Sequence, residues 1–290
     1  MKILVSDPID EKTMEELENY GELLKKGEEE KADVIIVRSR TYVDKNYIDK
    51  TKNLKLIIRA GVGLDNIDVE YCKQKGIRVE NTPEASAIAV AELVFAHILS
   101  IARNTVFCTN TMKECKWCKK DLMGFELHGK TLGIIGLGRI GGEVAKRAEA
   151  FGMNIIACDP FVKTSNYKLV ELSELLKQSD IITFHVPLTE RTKNMIDKNE
   201  FELMKKGVVI INTSRGGIIN EDELIKNLKN GKVSFAGLDV YEEEPPKDSP
   251  LLKLDNVVLT PHIGAQTIEA KRRIGKLIIE KLKLFIEESK

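Results

Sequence analysis

The sequence lacks the excess of basic residues typical of nucleic-acid-binding proteins and the signal peptide typical of secreted proteins. Its 290 residues include 45 Lys and Arg and 45 Asp and Glu, so the formal net charge is zero. Proteins that bind the phosphate backbone of nucleic acids usually carry an excess of Lys and Arg. The balanced charge here argues against nucleic acid as the main partner. The N-terminal segment MKILVSD lacks the long apolar core and cleavage site of a signal peptide. We therefore expect no secretory signal.

Long uninterrupted hydrophobic runs are also missing. The most apolar stretch, ASAIAVAELVFAHILSIA at residues 85–102, is interrupted by Glu92 and His97. A membrane span needs about 20 predominantly apolar residues. This stretch therefore predicts a buried helix and no membrane partner.

Cysteines are few and odd in number. There are five, Cys72, Cys108, Cys115, Cys118 and Cys158. Without a secretory signal, this is typical of reduced thiols in a cytoplasmic protein. The pair in CKWC forms a C-x-x-C, but neither a strand-to-helix context nor a second ligand pair accompanies it. We expect incidental cysteines and no metal site.

What the sequence does contain is an alternation of strands and helices. Short apolar runs such as KILVSD, DVIIVRSR and LKLIIRAGVG are separated by amphipathic stretches, and a second series starts at KTLGIIGLGRIGGE. Alternating β and α elements with apolar strands predict parallel sheets covered on both faces. A chain of this length suggests two such α/β domains.

The second series opens with a glycine pattern. Gly136, Gly138 and Gly141 form G-x-G-x-x-G between an apolar strand and a helix, and Asp159 ends the next strand. This spacing is typical of dinucleotide binding, where the glycines allow a tight turn, close approach of the pyrophosphate and close helix packing. The helix N-terminus offers free N–H groups to the pyrophosphate.

The residue at position 159 indicates which dinucleotide is bound. Asp159 is suited to accept hydrogen bonds from the ribose hydroxyls, and its charge would repel a 2′-phosphate. The residues that follow, Pro160, Phe161 and Val162, supply no arginine for such a phosphate. The sequence therefore predicts NAD as the cofactor and not NADP.

Three later strands end in residues suited to chemistry. Arg215 follows GVVIINT, the acidic triplet 242–244 follows VSFAGLDV, and His262 follows NVVLTP. Ligands of parallel sheets bind beyond the carboxyl ends of the strands, so these residues should meet near the cofactor. Arginine can clamp a carboxylate with two hydrogen bonds, histidine can exchange a proton, and a carboxylate can orient the imidazole. The set predicts hydride transfer on a 2-hydroxy acid.

Four segments, GLGRIG, NTSRGGIIN, LDVYEEEPP and PHIGAQT, carry a family likeness. Over nearly its whole length the sequence resembles the D-isomer-specific 2-hydroxyacid dehydrogenases. The resemblance implies that Arg215 clamps the substrate, that Glu244 supports the histidine and that His262 is the acid/base. Glu242 and Glu243 are left as surface charges. Further cofactor contacts implied by the match are Thr82, Arg139, Ile140, Val186, Thr213, Asp239, which would hold the nicotinamide carboxamide, and Gly264.

Other segments, including VRSRT, RAGVGLDNID and the stretch around Trp117, are similar to the 3-phosphoglycerate dehydrogenases of this family. The resemblance implies oxidation of 3-phosphoglycerate to 3-phosphohydroxypyruvate. Arg38, Arg40 and Arg59 are candidates for the substrate phosphate, and Gly61 for its carboxylate. The alternative for the arginines is ordinary surface charge.

The resemblance also implies a domain plan. An NAD-binding Rossmann domain with a doubly wound parallel sheet, residues 99–267, is inserted into a smaller flavodoxin-like substrate-binding domain, residues 1–98 and 268–290. We expect a homodimer formed through the second domain. The sequence stops after its final predicted helix, so the regulatory domain of longer family members is not expected.

Two other functions fit the same residues. One is reduction of glyoxylate, hydroxypyruvate or another 2-keto acid. The other is an NAD-sensing binding protein like the transcriptional corepressors that share this fold. The three catalytic residue types and the lack of an added interaction tail argue against the corepressor.

Overall fold

The computed structural model describes residues 1–288, except for the side chain of Asp121. The strands are β1 (Lys2–Val5), β2 (Glu22–Leu24), β3 (Val34–Val37), β4 (Leu56–Arg59), β5 (Arg78–Asn81), β6 (Thr131–Ile135), β7 (Asn154–Cys158), β8 (Lys168–Leu169), β9 (Ile181–Phe184), β10 (Val208–Asn212), β11 (Val233–Leu238) and β12 (Val257–Leu259). The helices are α1 (Glu11–Leu17), α2 (Lys45–Lys50), α3 (Val69–Gln74), α4 (Ala87–Ala102), α5 (Thr105–Lys113), α6 (Arg139–Ala150), α7 (Leu172–Gln178), α8 (Lys198–Leu203), α9 (Glu221–Lys229) and α10 (Ile268–Glu288). Single 3₁₀ turns lie at Glu29–Lys31, Lys119–Asp121 and Pro250–Lys253.

The chain divides into two compact units. The first unit consists of Met1–Ala89 and the segment that begins at Ala265, and the second is Val90–Gly264. The second unit is therefore inserted into the first. Its boundaries lie at 90 and 264, whereas the sequence analysis placed them at 99 and 267. Both the observed and the predicted first boundary fall inside α4, which runs on without a break between them.

The first unit holds a five-stranded parallel sheet in the order β2-β1-β3-β4-β5. All four residues of β3 are buried, because side chains that alternate between the faces meet helices on both. Ile36 packs with Ile278 of α10 on one face, while Ile35 packs with Ile48 of α2 on the other. This strand order is that of flavodoxin-like folds, which confirms the predicted fold class of this unit.

The second unit holds a seven-stranded parallel sheet in the order β12-β11-β10-β9-β6-β7-β8. The chain starts in the middle with β6, moves outward to β7 and β8, then returns to β9 on the other side of β6. This is the doubly wound Rossmann arrangement, with a ligand crevice where the strand order reverses. The predicted fold class is confirmed here also.

The apolar stretch at 85–102 forms α4, as predicted, and most of its side chains are buried. Within residues 1–288 no single helix is long and apolar enough to cross a membrane. The pair α4 and α5, bent by 63°, passes that test by length and composition only. The core helix of a globular unit passes on the same grounds, and α4 packs against the second sheet through Val94 and Ile98.

One polar side chain, His97, lies on the buried side of α4. Its side chain is 1% exposed, and burial lowers the pKa of its imidazole from 6.5 to about 4. The folded protein therefore keeps His97 neutral at acidities where the unfolded chain would protonate it. Because the unfolded state then binds more protons, stability falls as the pH drops below the unfolded pKa.

We predict that this histidine makes the protein acid-sensitive. Between about pH 7 and about pH 5, His97 should remove about 2 kcal/mol from the free energy of unfolding. Urea unfolding of His97→Gln should show a shallower decline over this interval than the unchanged protein. His128→Gln, which replaces an exposed histidine, is the matched control. Equal slopes for the unchanged protein and His97→Gln would contradict the assignment.

Candidate active site

The glycine loop between β6 and α6 has the geometry that its sequence predicts. Gly136 has φ 92°, and a Cβ there would lie 2.6 Å from the carbonyl oxygen of His185. A Cβ on Gly141 would lie 2.1 Å from the oxygen of Gly136, so the helix can pack this closely only with glycine. At Gly138 a Cβ would meet no atom of the chain within 4 Å. The space that Gly138 leaves at the N-terminus of α6 fits a phosphate group.

Asp159 follows β7 and lies next to this loop. Its Oδ2 accepts a hydrogen bond of 2.8 Å from the Leu137 amide, and its Oδ1 accepts one of 2.9 Å from the Phe161 amide. The carboxylate therefore braces the glycine loop, a role that the sequence analysis did not foresee. Each oxygen has a second lone pair, so the predicted bonds to ribose hydroxyls remain compatible with this bracing.

The catalytic candidates of the second unit lie past three neighbouring strands. Arg215 follows β10, Glu244 follows β11 and His262 follows β12. The structure joins two of them directly, because Nδ1 of His262 lies 2.7 Å from Oε2 of Glu244. Parallel pairing of the strands brings these residues together from positions far apart in sequence.

The Glu244 carboxylate is kept ionised by the positive groups near it. Burial alone would raise its pKa, but the hydrogen bond and charge of His262 outweigh burial, so the net pKa is lowered. The Tyr241 amide donates to Oε1, and the charge of Arg215 also lowers the pKa. Glu244 is thus an ionised acceptor within electrostatic reach of both other candidates. The Glu244–Pro245 peptide bond is cis.

The same hydrogen bond settles which nitrogen of His262 can act. An ionised carboxylate only accepts, so Nδ1 must carry the hydrogen that it shares with Glu244. Nε2 then has its lone pair available in the neutral ring. The side chain is 35% exposed, which leaves this nitrogen open to a substrate. This is the arrangement of a general base oriented by a carboxylate.

The turn around His262 is held in place by Asp239, which is fully buried. Its carboxylate accepts from the amides of Ile263 and Gly264, both at 2.8 Å, and from the Thr260 hydroxyl at 2.6 Å. Burial raises the pKa of this carboxyl, and the three hydrogen bonds oppose the rise. Asp239 therefore shapes the backbone beside the catalytic candidate. Its expected contact with the nicotinamide carboxamide stays a prediction.

Arg215 is presented by a short polar loop. The Asn212 side chain donates to the Arg215 carbonyl at 2.8 Å and accepts from both the amide and hydroxyl of Ser214. The guanidinium donates to the Ser214 carbonyl at 2.6 Å. The loop fixes the backbone on both sides of Arg215, which suits a side chain that must meet a planar carboxylate.

In the first unit, the predicted arginines follow neighbouring strands. Arg38 comes directly after β3, and Arg59 ends β4. Asp7 accepts from the Arg38 and Thr41 amides, and Asn66 donates to the carbonyls of the same two residues. These bonds fix the loop that carries Arg38 and the exposed Arg40.

Arg59 folds back over the chain. A Cβ on Gly61 would lie 1.5 Å from Nη1 of Arg59, and Gly61 has φ 153°. Gly61 thus leaves room for the guanidinium, and its carbonyl accepts from the Thr82 amide at 2.9 Å. The Gly61 amide already donates to the Arg59 carbonyl. Its expected hydrogen bond to the substrate carboxylate stays a prediction.

The remaining predicted cofactor contacts fall into two groups. Thr82 of the first unit and Thr213 of the second each bury a side-chain oxygen that has no hydrogen-bond partner among the described residues. A bound ligand could satisfy such an atom. The others border the crevice edge of the second sheet: Arg139, Ile140, Val186 and Gly264.

Several functional residues were missed by sequence reasoning. Tyr241 donates its hydroxyl hydrogen to the backbone, with the carbonyls of Leu238 and Thr260 both within reach, and so ties β11 to the His262 loop. Asn212 lies just before Arg215 in the sequence, and Thr260 lies just before His262. This proximity to the catalytic candidates is the sequence feature that could have pointed to both. Glu242 is exposed, yet its carboxylate accepts from the Glu221 amide, and its own amide donates to the Glu221 carboxylate, so it is more than a solvated charge.

Residues 95–264 match the model of the D-isomer specific 2-hydroxyacid dehydrogenase, NAD binding domain. The chain belongs to the D-isomer-specific 2-hydroxyacid dehydrogenase family. By class it is an NAD-dependent 2-hydroxyacid dehydrogenase, and the expected cofactor is confirmed. The loop geometry at Gly138 and the unpartnered oxygen of Thr213 fit this cofactor. Within the described residues no group of three His, Cys, Asp or Glu side chains is placed to hold a metal.

Individual relatives in this family carry different names. The chain is 50% identical to the D-3-phosphoglycerate dehydrogenase of Methanocaldococcus jannaschii, covering 98% of this chain but 57% of that protein. It is 51% identical to the hydroxypyruvate reductase of Thermotoga maritima, covering 97% of each. The D-lactate dehydrogenase of Aquifex aeolicus, solved with NAD and lactic acid, superposes with TM-score 0.91 at 34% identity, covering 99% of this chain and 96% of the other.

We predict that Glu244→Gln lowers turnover roughly 10- to 100-fold and confines activity to a narrower range of pH. The amide keeps the shape of the carboxylate but loses the charge that stabilises an imidazolium at His262. The measurement is kcat as a function of pH under saturating substrate and cofactor. Glu243→Gln, on the exposed neighbour in the same loop, is the control. Equal profiles for the two variants would contradict the role of Glu244.

Proposed function

We propose that the chain oxidises 3-phosphoglycerate to 3-phosphohydroxypyruvate with NAD, the first step of the phosphorylated route to serine. Family membership supports the reaction type, and the relative from M. jannaschii supports the substrate by its name. A cytoplasmic location, expected from the cysteine content, belongs to the same proposal.

The observation that carries the substrate assignment is the arginine loop after β3. Burial lowers the pKa of the Arg38 guanidinium, the charge of Asp7 opposes this, and the charge of Arg40 adds to it. Two like charges are thus held within electrostatic reach on a loop that Asp7 and Asn66 fix. Such a pair is stabilised by an anion, and a phosphate with its several acceptor oxygens suits two guanidinium groups.

The second unit supplies the chemistry in this proposal. Arg215 binds the substrate carboxylate with parallel hydrogen bonds and so orients the carbon that bears the hydroxyl. Nε2 of His262 takes the hydroxyl proton while Glu244 stabilises the imidazolium that results. NAD, held at the glycine loop of Gly136, Gly138 and Gly141, would supply the acceptor for the hydride that leaves the same carbon. In the reverse direction the imidazolium returns the proton to the carbonyl oxygen.

A second candidate function is reduction of hydroxypyruvate or glyoxylate. The relative from T. maritima favours it, because this chain matches that protein over 97% of both lengths. Arg215, Glu244 and His262 serve either substrate equally, so these three residues do not distinguish the two. The discriminating feature is the arginine pair Arg38 and Arg40.

We predict that Arg38→Gln with Arg40→Gln raises the KM for 3-phosphoglycerate at least about tenfold, because about 1.4 kcal/mol of binding is lost. The KM for hydroxypyruvate should change little in the same variant. Initial rates with 3-phosphoglycerate, hydroxypyruvate and glyoxylate, each with NAD(H) and NADP(H), provide the test. Arg272→Gln, on an exposed arginine of α10, is the control. No turnover of 3-phosphoglycerate alongside rapid turnover of hydroxypyruvate would overturn the substrate and leave the class intact.

We also propose that two copies associate through the second unit. Helix α5 and the segment after it expose apolar side chains in an unusual density: Val106, Phe107, Met112, Trp117 and Met123. Met123 is 92% exposed and Trp117 is 78% exposed. Several large apolar side chains exposed within one segment are a feature of interaction sites. A second copy of the chain would cover it.

Size-exclusion chromatography with light scattering should give twice the chain mass of 32.6 kDa. Phe107→Asp should shift the mass toward that of one chain, because a charge would be buried in the interface. Phe161→Asp is the matched control, since Phe161 is 86% exposed outside this surface. A mass near that of one chain for the unchanged protein would contradict the dimer.

A further inference from the structure

A line of hydrogen bonds leads from the middle of α4 to the catalytic turn. Nε2 of His97 lies 3.1 Å from the Thr260 hydroxyl oxygen, and that hydroxyl donates to Oδ1 of Asp239 at 2.6 Å. Asp239 in turn accepts from the amides of Ile263 and Gly264. None of the roles considered so far uses His97 or explains why α4 buries an imidazole.

Counting hydrogens fixes the direction of this line. The ionised Asp239 carboxylate can only accept, so the single hydroxyl hydrogen of Thr260 is committed to it. The Thr260 oxygen must then accept from His97, which places the ring hydrogen on Nε2. Nδ1 of His97 is left as a bare acceptor, and it is buried with no partner in the described part of the chain. The unpaired nitrogen fits a neutral ring that donates through Nε2 alone.

The sheet makes space for this imidazole. A Cβ on Gly237 of β11 would lie 2.8 Å from Cβ and 3.0 Å from Cγ of His97. Gly237 and Asp239 are two residues apart, so they share one side of the extended chain. The ring therefore rests over the glycine and reaches toward the side on which the Asp239 carboxylate lies. This close approach is a built feature of the strand.

The far end of the line is the backbone of the catalytic candidate. His262 has φ 53°, a left-handed conformation that a residue with a side chain adopts at a cost. Its own amide donates to the Thr260 carbonyl, and the next two amides donate to Asp239. The conformation that aims His262 at Glu244 thus depends on the orientation of the Asp239 carboxylate.

We propose that His97 is a positioning residue for His262, acting through Thr260 and Asp239. The proposal rests on the proposed role of His262 as the acid/base. In it, the imidazole holds the Thr260 hydroxyl in the one rotamer that donates to Asp239. Asp239 then holds the two amides that follow His262. The relay does not touch the substrate, so its loss should act on turnover more than on substrate binding.

The first test removes the middle of the relay. Thr260→Val keeps the shape of the side chain and should lower kcat about 10- to 100-fold, with the KM for the hydroxy acid changed less than about threefold. Thr260→Ser keeps the hydroxyl and should recover most of the loss. Thr164→Val, on an exposed threonine, controls for the substitution type. Failure of serine to recover turnover, or a rise in KM alone, would overturn the proposal.

The second test measures the coupling between the two ends. His97→Leu should lower kcat about five- to twentyfold, and His97→Gln, whose amide can donate, should recover part of this. The double variant His97→Leu with Thr260→Val should be no slower than Thr260→Val alone, within about twofold. Multiplied losses in the double variant would show two independent packing defects and overturn the relay. Rates are taken with 3-phosphoglycerate or hydroxypyruvate, whichever the enzyme turns over.

A third measurement does not depend on activity. Long-range ¹H–¹⁵N NMR of protein labelled at the histidine nitrogens reports the tautomer of each ring, and the His97 signal is the one lost in His97→Gln. We expect the neutral Nε2–H form at about pH 7. The Nδ1–H form would overturn the relay even in a fully active enzyme. If neither substrate is turned over but the Nε2–H form is found, the proposed function fails and the relay stands.

Discussion

The parallel pairing of β10, β11 and β12 is the constraint on which the site depends. Each strand ends at the same edge of the sheet, so Glu244 and His262 meet, and Arg215 lies within electrostatic reach of Glu244, although the three are separated in sequence. The contact between Glu244 and His262 is a hydrogen bond between the loops that follow β11 and β12, so it depends on the pairing of these two strands. A shift of one residue in the pairing would move every following side chain to the other face.

Beneath the edge lies a second layer of polar groups that face inward. The side chains of Asn212, Asp239 and Tyr241 bond to backbone atoms at this edge, and the Thr260 hydroxyl donates to the Asp239 carboxylate. Buried polar groups of this kind are costly when unpaired and rigid when satisfied. These hydrogen bonds hold in place the loops that carry Arg215 and His262.

The features of the fold and site that could be predicted from sequence are those that depend on residues close together in the chain. Gly136, Gly138 and Gly141 indicate the dinucleotide loop, because a Cβ at Gly136 or Gly141 would collide with the backbone and Gly138 leaves open space at the N-terminus of α6. Arg215 and His262 stand out because they lie in the loops that follow apolar strands. Tyr241, Asn212 and the His97 contact could not be predicted, because they depend on strand register and on side-chain direction between distant segments. The position of the boundary along α4 could not be predicted for a related reason, since one continuous helix gives no local sign of where it leaves one unit for another.

The bracing of the glycine loop by Asp159 has a consequence for redesign of cofactor preference. The usual route toward a phosphorylated ribose removes the acidic residue after the second strand, so that its charge no longer repels the phosphate. In this chain the same carboxylate also holds the Leu137 and Phe161 amides. A neutral or basic replacement would therefore loosen the loop that receives the pyrophosphate. Successful redesign requires a side chain that accepts from both amides without a full negative charge, or new acceptors placed elsewhere in the loop.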